Sequence, residues 1–367
     1  MPMTDLVATG ISPLAIELAE EYGLFDLHID TLIPPRLWGY DVLQRHGTGV
    51  LGGRFFGHLD LPRIAACRMS GAMWSLTTNP FRTEQGRWRA WQANLARFDA
   101  LVAAAQGQLK PVKTAKELQL LRGQPGHAVA LAVQGANAWQ AAQARDPGLD
   151  TVLADGRIVR ATLVHLTDSS LGATSSPLSV RANKELTPLG AQLVAALNRH
   201  RVFVDLAHAH PTTFWQAVQV HDRDLPLIAT HTGVCGIKPH WRNVDDRQVR
   251  AIAESGGVVG IIAALPFLTR ARGPRDAMAM VEHLEHAIAV GGEACAAIGS
   301  DLDGAIVPPH DLRDGLGHLR LIDAMVRRGW ARDRIGRVCA GNFVATWQRL
   351  RPDSWVPLLA QQPPTAA

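Results

Sequence analysis

Short, nearly uninterrupted apolar runs recur along this chain, separated by stretches in which apolar residues return every three or four positions. The runs read as strands at 25–31 (FDLHIDT), 71–78 (GAMWSLTT), 128–135 (AVALAVQG), 160–167 (RATLVHLT), 201–208 (RVFVDLAH), 225–231 (LPLIATH), 257–263 (GVVGIIA) and 296–302 (AAIGSDL). Strands that are apolar on both faces suit a parallel sheet covered on both sides. The segments between them read as helices. Residues 83–105 carry Trp88, Trp91, Leu95, Phe98 and Val102 at helical steps, 187–198 opens on Thr-Pro, and 245–254 and 274–290 follow the same pattern. The tryptophans are expected to pack the helix against the sheet. Eight strands alternating with helices predict an α/β protein with the (β/α)8 TIM-barrel fold. No linker divides the chain, so 1–351 is expected to be one barrel domain. The long loop 34–62 is expected to form a lid or small subdomain, and 352–367 a Pro/Gln/Ala-rich tail.

The polar residues that interrupt these runs fall near their ends. FDLHID delivers His28 and Asp30, VFVDLAH delivers His208, LPLIATH delivers His231, and AAIGSDLD delivers Asp301 and Asp303. A parallel barrel gathers strand ends on one rim, where His and Asp together form a metal site. His28 and Asp30 are two apart, so on a strand they share a face. His208 and His231 come from the fifth and sixth predicted strands, which are neighbours in a barrel, and can hold a second metal between them. Asp301, from the eighth, lies beside the first, where its carboxylate can serve as base toward a metal-activated water. The expected chemistry is metal-assisted hydrolysis.

Composition narrows the alternatives. Hydrophobic residues are 47% of the 367 and charged residues 19%, enough for a large core and too little charge for a disordered chain. The formal charge of +4 is spread without a basic stripe, which argues against nucleic-acid binding. Cys67, Cys235, Cys295 and Cys339 are far apart and form no CxxC, so free, mostly buried thiols and a reducing compartment are expected. The N-terminus lacks the pattern of a signal peptide, and the longest apolar stretch, Val258 to Phe267, is too short to span a bilayer. A soluble, cytoplasmic protein without a membrane partner is the expectation.

From Phe25 to Leu350 the chain resembles the membrane dipeptidase (renal dipeptidase) family, peptidase family M19 of the amidohydrolase superfamily. DLHIDTL is similar to that family's DGHNDLP, and HLDLPR followed by GAMWSLTT matches the segment after its first strand. VDLAH, THTG, RNVDD, IGSDLDG and GNF follow in the family's order. The resemblance implies zinc in a binuclear site, cleavage of a small-molecule substrate (a dipeptide or N-acyl amino acid), and a homodimer. It places His28 and Asp30 on one zinc, His208 and His231 on the other, and Asp301 as catalytic acid/base. His165, in LVH, would polarise the substrate carbonyl, and Arg242, in HWRNVDD, would grip the substrate's terminal carboxylate. A planar guanidinium suits that role because it binds a carboxylate through two parallel hydrogen bonds.

One position departs. Where the family has a bridging Glu in an EGG motif, this chain reads LAVQGAN, with Gln134 in its place. An amide oxygen coordinates one cation weakly and brings no charge. Three readings follow: a hydrolase with Gln134 as weak ligand and a weakened second site, so one or two Zn2+ per chain; a binuclear site bridged by hydroxide alone; or a catalytically silent or repurposed member, for small-molecule binding or biosynthetic tailoring. Among other signals, EHLEH (Glu282, His283, Glu285, His286) reads as a solvated helix face because it lacks HExxH spacing. Asp303 reads as a support for Asp301 or a turn cap, and His210-Pro211 as a helix start.

Overall fold

The structure, a computed structural model, describes residues 2–47, 52–144 and 148–361. Nine strands form among them: β1 (Phe25–Ile29), β2 (Gly71–Thr77), β3 (Leu109–Pro111), β4 (His127–Gln134), β5 (Ile158–Thr162), β6 (Phe203–Asp205), β7 (Ile228–Thr232), β8 (Val258–Ile261) and β9 (Ala296–Ile298). All ladders are parallel, and eight strands follow one another as β1-β2-β4-β5-β6-β7-β8-β9, with β3 added beside the start of β4. The ends of this sheet meet: the Asp30 N–H donates to the Leu302 carbonyl, and the Asp301 N–H to the His28 carbonyl, both at 2.9 Å. The expected (β/α)8 barrel is thus present. Its strands are buried along their whole length, as their apolar runs require.

Local chemistry sets the helices. Thr83 caps Glu84–Ala104 and Thr187 caps Pro188–Arg199. Asp245 and Gln248 form a reciprocal capping box on Asp246–Glu254. His210 caps Pro211–Val220. Trp91 is buried and meets the Trp139 ring edge-on, so the helix 84–104 does pack through its tryptophans. Close approach of neighbouring segments demands glycine at two positions: a Cβ on Gly299 would lie 1.6 Å from the Thr230 carbonyl oxygen, and one on Gly257 equally close to that of Leu227.

Several sequence expectations need correction. The strands stop earlier than their apolar runs: β5 ends at Thr162, β6 at Asp205 and β9 at Ile298. His165, His208 and Asp301 therefore stand on the loops beyond. The backbone leaves the sheet there, and His208 (φ 66°) and Asp301 (φ 60°) adopt left-handed conformations. The fourth predicted helix begins at Met278 rather than at Pro274. The EHLEH patch is not wholly solvated: His283 is buried, accepts from the Val234 N–H at 2.9 Å and bonds the Leu268 carbonyl at 3.1 Å. Glu285 and His286 are held by Arg328 and Asp246. Asp303 makes no hydrogen bond to Asp301 among the described residues. Its carboxylate accepts the Gly57 and His58 N–H groups, tying the loop 34–62 to the barrel rim. Residues 48–51 of that loop lie outside the described residues, as do 362–367 of the tail. The four cysteines are free, three of them buried. No described helix is long and apolar enough to cross a membrane.

Two buried histidines set an acid limit on stability. His127 accepts from Trp74 Nε1–H at 3.0 Å and bonds the Met69 carbonyl at 3.0 Å. A second proton would set N–H against N–H. Burial pushes His127 down to about 4, and His283 likewise. Both bind a proton more readily when unfolded, so their stabilisation is complete above about pH 6.5 and is lost as pH falls toward 4. Each shift corresponds to at most about 3 kcal/mol. We expect the urea midpoint to drop steeply between pH 6.5 and 4, and His127→Gln to flatten that drop. A midpoint constant across this window would contradict the assignment.

Candidate metal centre

The residues singled out from the sequence converge on the C-terminal rim of the barrel. Ligand atoms of His28, His231 and Asp301 all lie within 4.8 Å of one another. His28 Nε2 stands 3.4 Å from Asp301 Oδ1 and 3.7 Å from Asp30 Oδ2. His208 Nε2 approaches His231 Nε2 to 2.9 Å, and Gln134 Nε2 lies 3.4 Å from the same His231 nitrogen. The His28 and His231 rings stack at 3.8 Å, and His165 meets His208 edge-on at 4.8 Å. His28 Nε2 and Asp301 Oδ1 are buried without hydrogen-bond partners. The facing Nε2 atoms of His208 and His231, with the Asp301 carboxylate oxygen unpaired close by, are what a cation would satisfy. This donor set therefore fits a divalent metal such as zinc.

Burial shapes the charges. It drives His208 and His231 well below the ordinary imidazole range, with nearby Arg242 and His28 acting in the same direction. Both rings are neutral near pH 7, the state a metal ligand requires. Burial and the charge of Asp30 push Asp301 well above the usual carboxylate range. Burial opposes ionisation of Asp30 as well, yet its contacts with His28 and Thr77 hold it below the ordinary value. Burial likewise takes His165 down to about 4.

Residues that sequence reading missed lie just beneath. Asp205 Oδ2 accepts from Thr162 Oγ1 and Thr230 Oγ1, each at 2.7 Å. Thr230 Oγ1, its hydrogen committed to that carboxylate, accepts from His231 Nδ1 at 2.8 Å. His231 is thereby held with its Nε2 lone pair toward the centre, the usual outer-shell support of a metal ligand. Thr77 Oγ1 lies 2.9 Å from Asp30 Oδ1 and 3.1 Å from Gln134 Oε1.

His28 is supported in the opposite sense. The fully buried Arg160 donates from Nη2 to His28 Nδ1 at 2.8 Å and to Ser75 Oγ at 2.7 Å. A guanidinium has no acceptor, so the His28 hydrogen sits on Nε2, facing Asp301. The signal was present in the sequence as one Arg inside the apolar run RATLVHLT, but its direction depends on strand parity and on where the strand starts.

Asp30, Gln134, His165, His208, Arg242 and Asp301 line one solvent-open cavity of about 1200 Å³, together with the aromatic side chains of Trp241, Phe267 and Phe56. Arg242 is 4% exposed and donates from Nη2 to the His231 carbonyl at 2.7 Å. Burial lowers it to about 10, so it stays charged at neutral pH. All eight predicted site residues are thus brought together, while the His240 ring packs in tilted contacts against Trp241 and Phe267.

A parallel barrel with buried His and Asp at the C-terminal ends of its strands defines a metal-dependent hydrolase of the amidohydrolase type. More specifically, residues 14–352 match the model of the membrane dipeptidase family (peptidase family M19), and the chain belongs to that family. A Klebsiella pneumoniae protein, described as uncharacterised and in the pqqA 5′ region, is 31% identical over 274 residues, 72% of this chain and 96% of its own. The solved structure of an M19 metallopeptidase, dipeptidase AC, superposes with TM-score 0.76 at 27% identity, covering 89% of this chain and 98% of that one. A Rhodobacter sphaeroides metallopeptidase, liganded with a phosphinate mimic of the dipeptide L-Ala-D-Ala, superposes with TM-score 0.76 at 25% identity over 89% and 99%.

Proposed function

We propose that this metallo-dipeptidase family member is a zinc hydrolase cleaving the amide bond of small dipeptides or N-acyl amino acids. The observation that carries the reading is the approach of His208 Nε2 to His231 Nε2 at 2.9 Å at the barrel rim, with the unpaired Asp301 Oδ1 within 4.8 Å of the His231 ligand atom. The Rhodobacter relative's dipeptide mimic supports the substrate class.

One ion per chain is held by His208 and His231, with Gln134 as weak third protein ligand through its Oε1 once the amide, whose Nε2 faces His231 here, is turned over. Two features argue against a second ion at His28 and Asp30: Gln134 brings no charge, and Arg160, itself ion-paired with Asp205 at 3.4 Å, donates to His28 Nδ1 and so puts the hydrogen on the nitrogen that would ligate. When bound, the ion would lower the pKa of water and polarise a carbonyl. Arg242 binds the substrate's terminal carboxylate through the donors not committed to His231. His165, neutral and with no hydrogen bond of its own, donates to the scissile carbonyl oxygen. Asp301 takes the attacking water's proton on Oδ1 and delivers it to the leaving amine nitrogen as the C–N bond breaks. Raised proton affinity suits a carboxylate that must hold that proton between the two transfers. Under the same reading the enzyme is a cytoplasmic homodimer, for which a solution mass near twice 39.7 kDa is the check.

The test is a dipeptide panel on zinc-loaded protein, with Arg242→Ala alongside. We expect turnover of at least one dipeptide, and for Arg242→Ala a KM raised about 10- to 100-fold, the size of a lost charge-assisted bond pair. No hydrolysis by the zinc-loaded wild type would favour the silent or binding role that Gln134 also permits.

A further inference from the structure

One wall of the site cavity carries a charge that the metal centre does not explain. Four arginines line it: Arg36, Arg82, Arg89 and Arg97. Arg89, Ala93 and Arg97 follow at four-residue steps on the helix Glu84–Ala104, so they form one stripe facing the cavity. Gly86, Ala90 and Ala93 keep the wall between the guanidiniums low. Among the described residues, the only acids lining the same cavity are Asp30 and Asp301, both inside the centre. Across the described residues, arginines generally find carboxylates: Arg157 has Asp99, Arg270 has Glu282, Arg320 has Asp314 and Arg328 has Glu285. None of the four cavity arginines has an ion pair among the described residues. Their bonds go to neutral groups: Arg36 to the Thr77 carbonyl at 2.8 Å, Arg97 to Asn94 Oδ1 at 3.2 Å, and Arg89 to the Gln85 carbonyl at 3.4 Å. Arg82 makes no side-chain hydrogen bond among the described residues. Four like charges along one cavity wall repel one another, and an anion relieves that repulsion.

Topology says which end of a substrate would meet them. Arg36 follows β1, and Arg82, Arg89 and Arg97 follow β2, whereas Arg242 follows β7. In the order β1-β2-β4-β5-β6-β7-β8-β9, β2 and β7 lie four places apart in an eight-membered ring. The two cationic features therefore face each other across the barrel mouth, with the metal centre between them. A substrate whose terminal carboxylate sits on Arg242 and whose amide lies over the centre extends its acyl side toward the arginine wall.

We propose that this wall is a subsite for an anionic acyl group, so that the preferred substrates carry a carboxylate on the N-terminal or acyl side of the scissile bond. This rests on the hydrolase reading for its orientation, but binding tests it separately. The pair L-Glu-L-Ala and L-Gln-L-Ala differs by one charge at constant shape. Calorimetric Kd values and kcat/KM for both are measured on zinc-loaded wild type and on Arg82→Gln/Arg89→Gln, two exposed side chains whose exchange leaves the barrel core untouched.

The wild type should bind and cleave the Glu peptide at least about ten-fold better, the scale of one charge-assisted hydrogen bond. The ratio should fall as salt is raised and approach one in the double variant. Equal Kd values for the two peptides, a ratio unchanged in the variant, or no binding of either peptide overturns the proposal. Selective binding of the Glu peptide without cleavage of either would uphold the subsite and count against the hydrolase reading.

Discussion

Asp301→Asn should lower turnover of a cleaved dipeptide by a factor of about 10² to 10⁴, the range over which a positioned acid or base acts. Zinc content and KM should stay near wild type. Asn keeps the size and one oxygen of the side chain but cannot take a proton from water or return it to the leaving amine. The site is built to make that proton transfer matter. Asp301 is buried, its Oδ1 has no hydrogen-bond partner, and burial together with the Asp30 charge raises its proton affinity. A variant that lost turnover through altered substrate capture would instead raise KM. Steady-state kinetics with metal analysis on the same samples separates the two, and near-normal turnover would remove Asp301 from the acid/base role.

The second large effect concerns metal count. Wild-type protein, loaded with zinc and dialysed, should carry one ion per chain. Gln134→Glu should tighten that ion at least about ten-fold by restoring a charged ligand, in line with the stronger binding expected of carboxylate over amide oxygen. A second ion should appear only when Arg160 is also replaced, as in Gln134→Glu/Arg160→Gln. The reason lies in the direction of two hydrogen bonds. Thr230 accepts from His231 Nδ1 and leaves Nε2 free to ligate. Arg160 donates to His28 Nδ1, which puts the hydrogen on the nitrogen that would have to bind metal. Mass spectrometry of metal content, with anomalous scattering to place each ion, reads this out directly. Two ions in the wild type would refute the one-ion reading, and two in Gln134→Glu alone would clear Arg160 of the block. Should the double variant fold poorly, the wild type and single variant still decide both points.

The sequence by itself determined the barrel and most of the rim. Apolar runs buried on both faces have few homes other than a parallel sheet, and helices with Thr and Asp caps between them leave little choice of architecture. His28, Asp30, His208, His231 and Asp301 were legible because they break apolar runs near the point where a barrel strand delivers its side chains to the mouth. His165 and Gln134 also sit near the ends of apolar runs, but their roles, like that of Arg242, were legible only through resemblance.

The tertiary structure decided the rest. Strand ends are set by where the backbone turns into left-handed geometry, so β6 and β9 stop three residues short of His208 and Asp301. Side-chain direction decided that Arg160 and Asp205 support the centre from below, and that His283 is part of the core rather than a solvated face. The arginine wall spans two separate barrel loops and one helix stripe, and only the closed barrel sets it opposite Arg242. Local patterning encodes what each segment becomes. Hydrogen-bond direction and charge across the barrel mouth arise between segments far apart in the chain, and so appear only once it has closed.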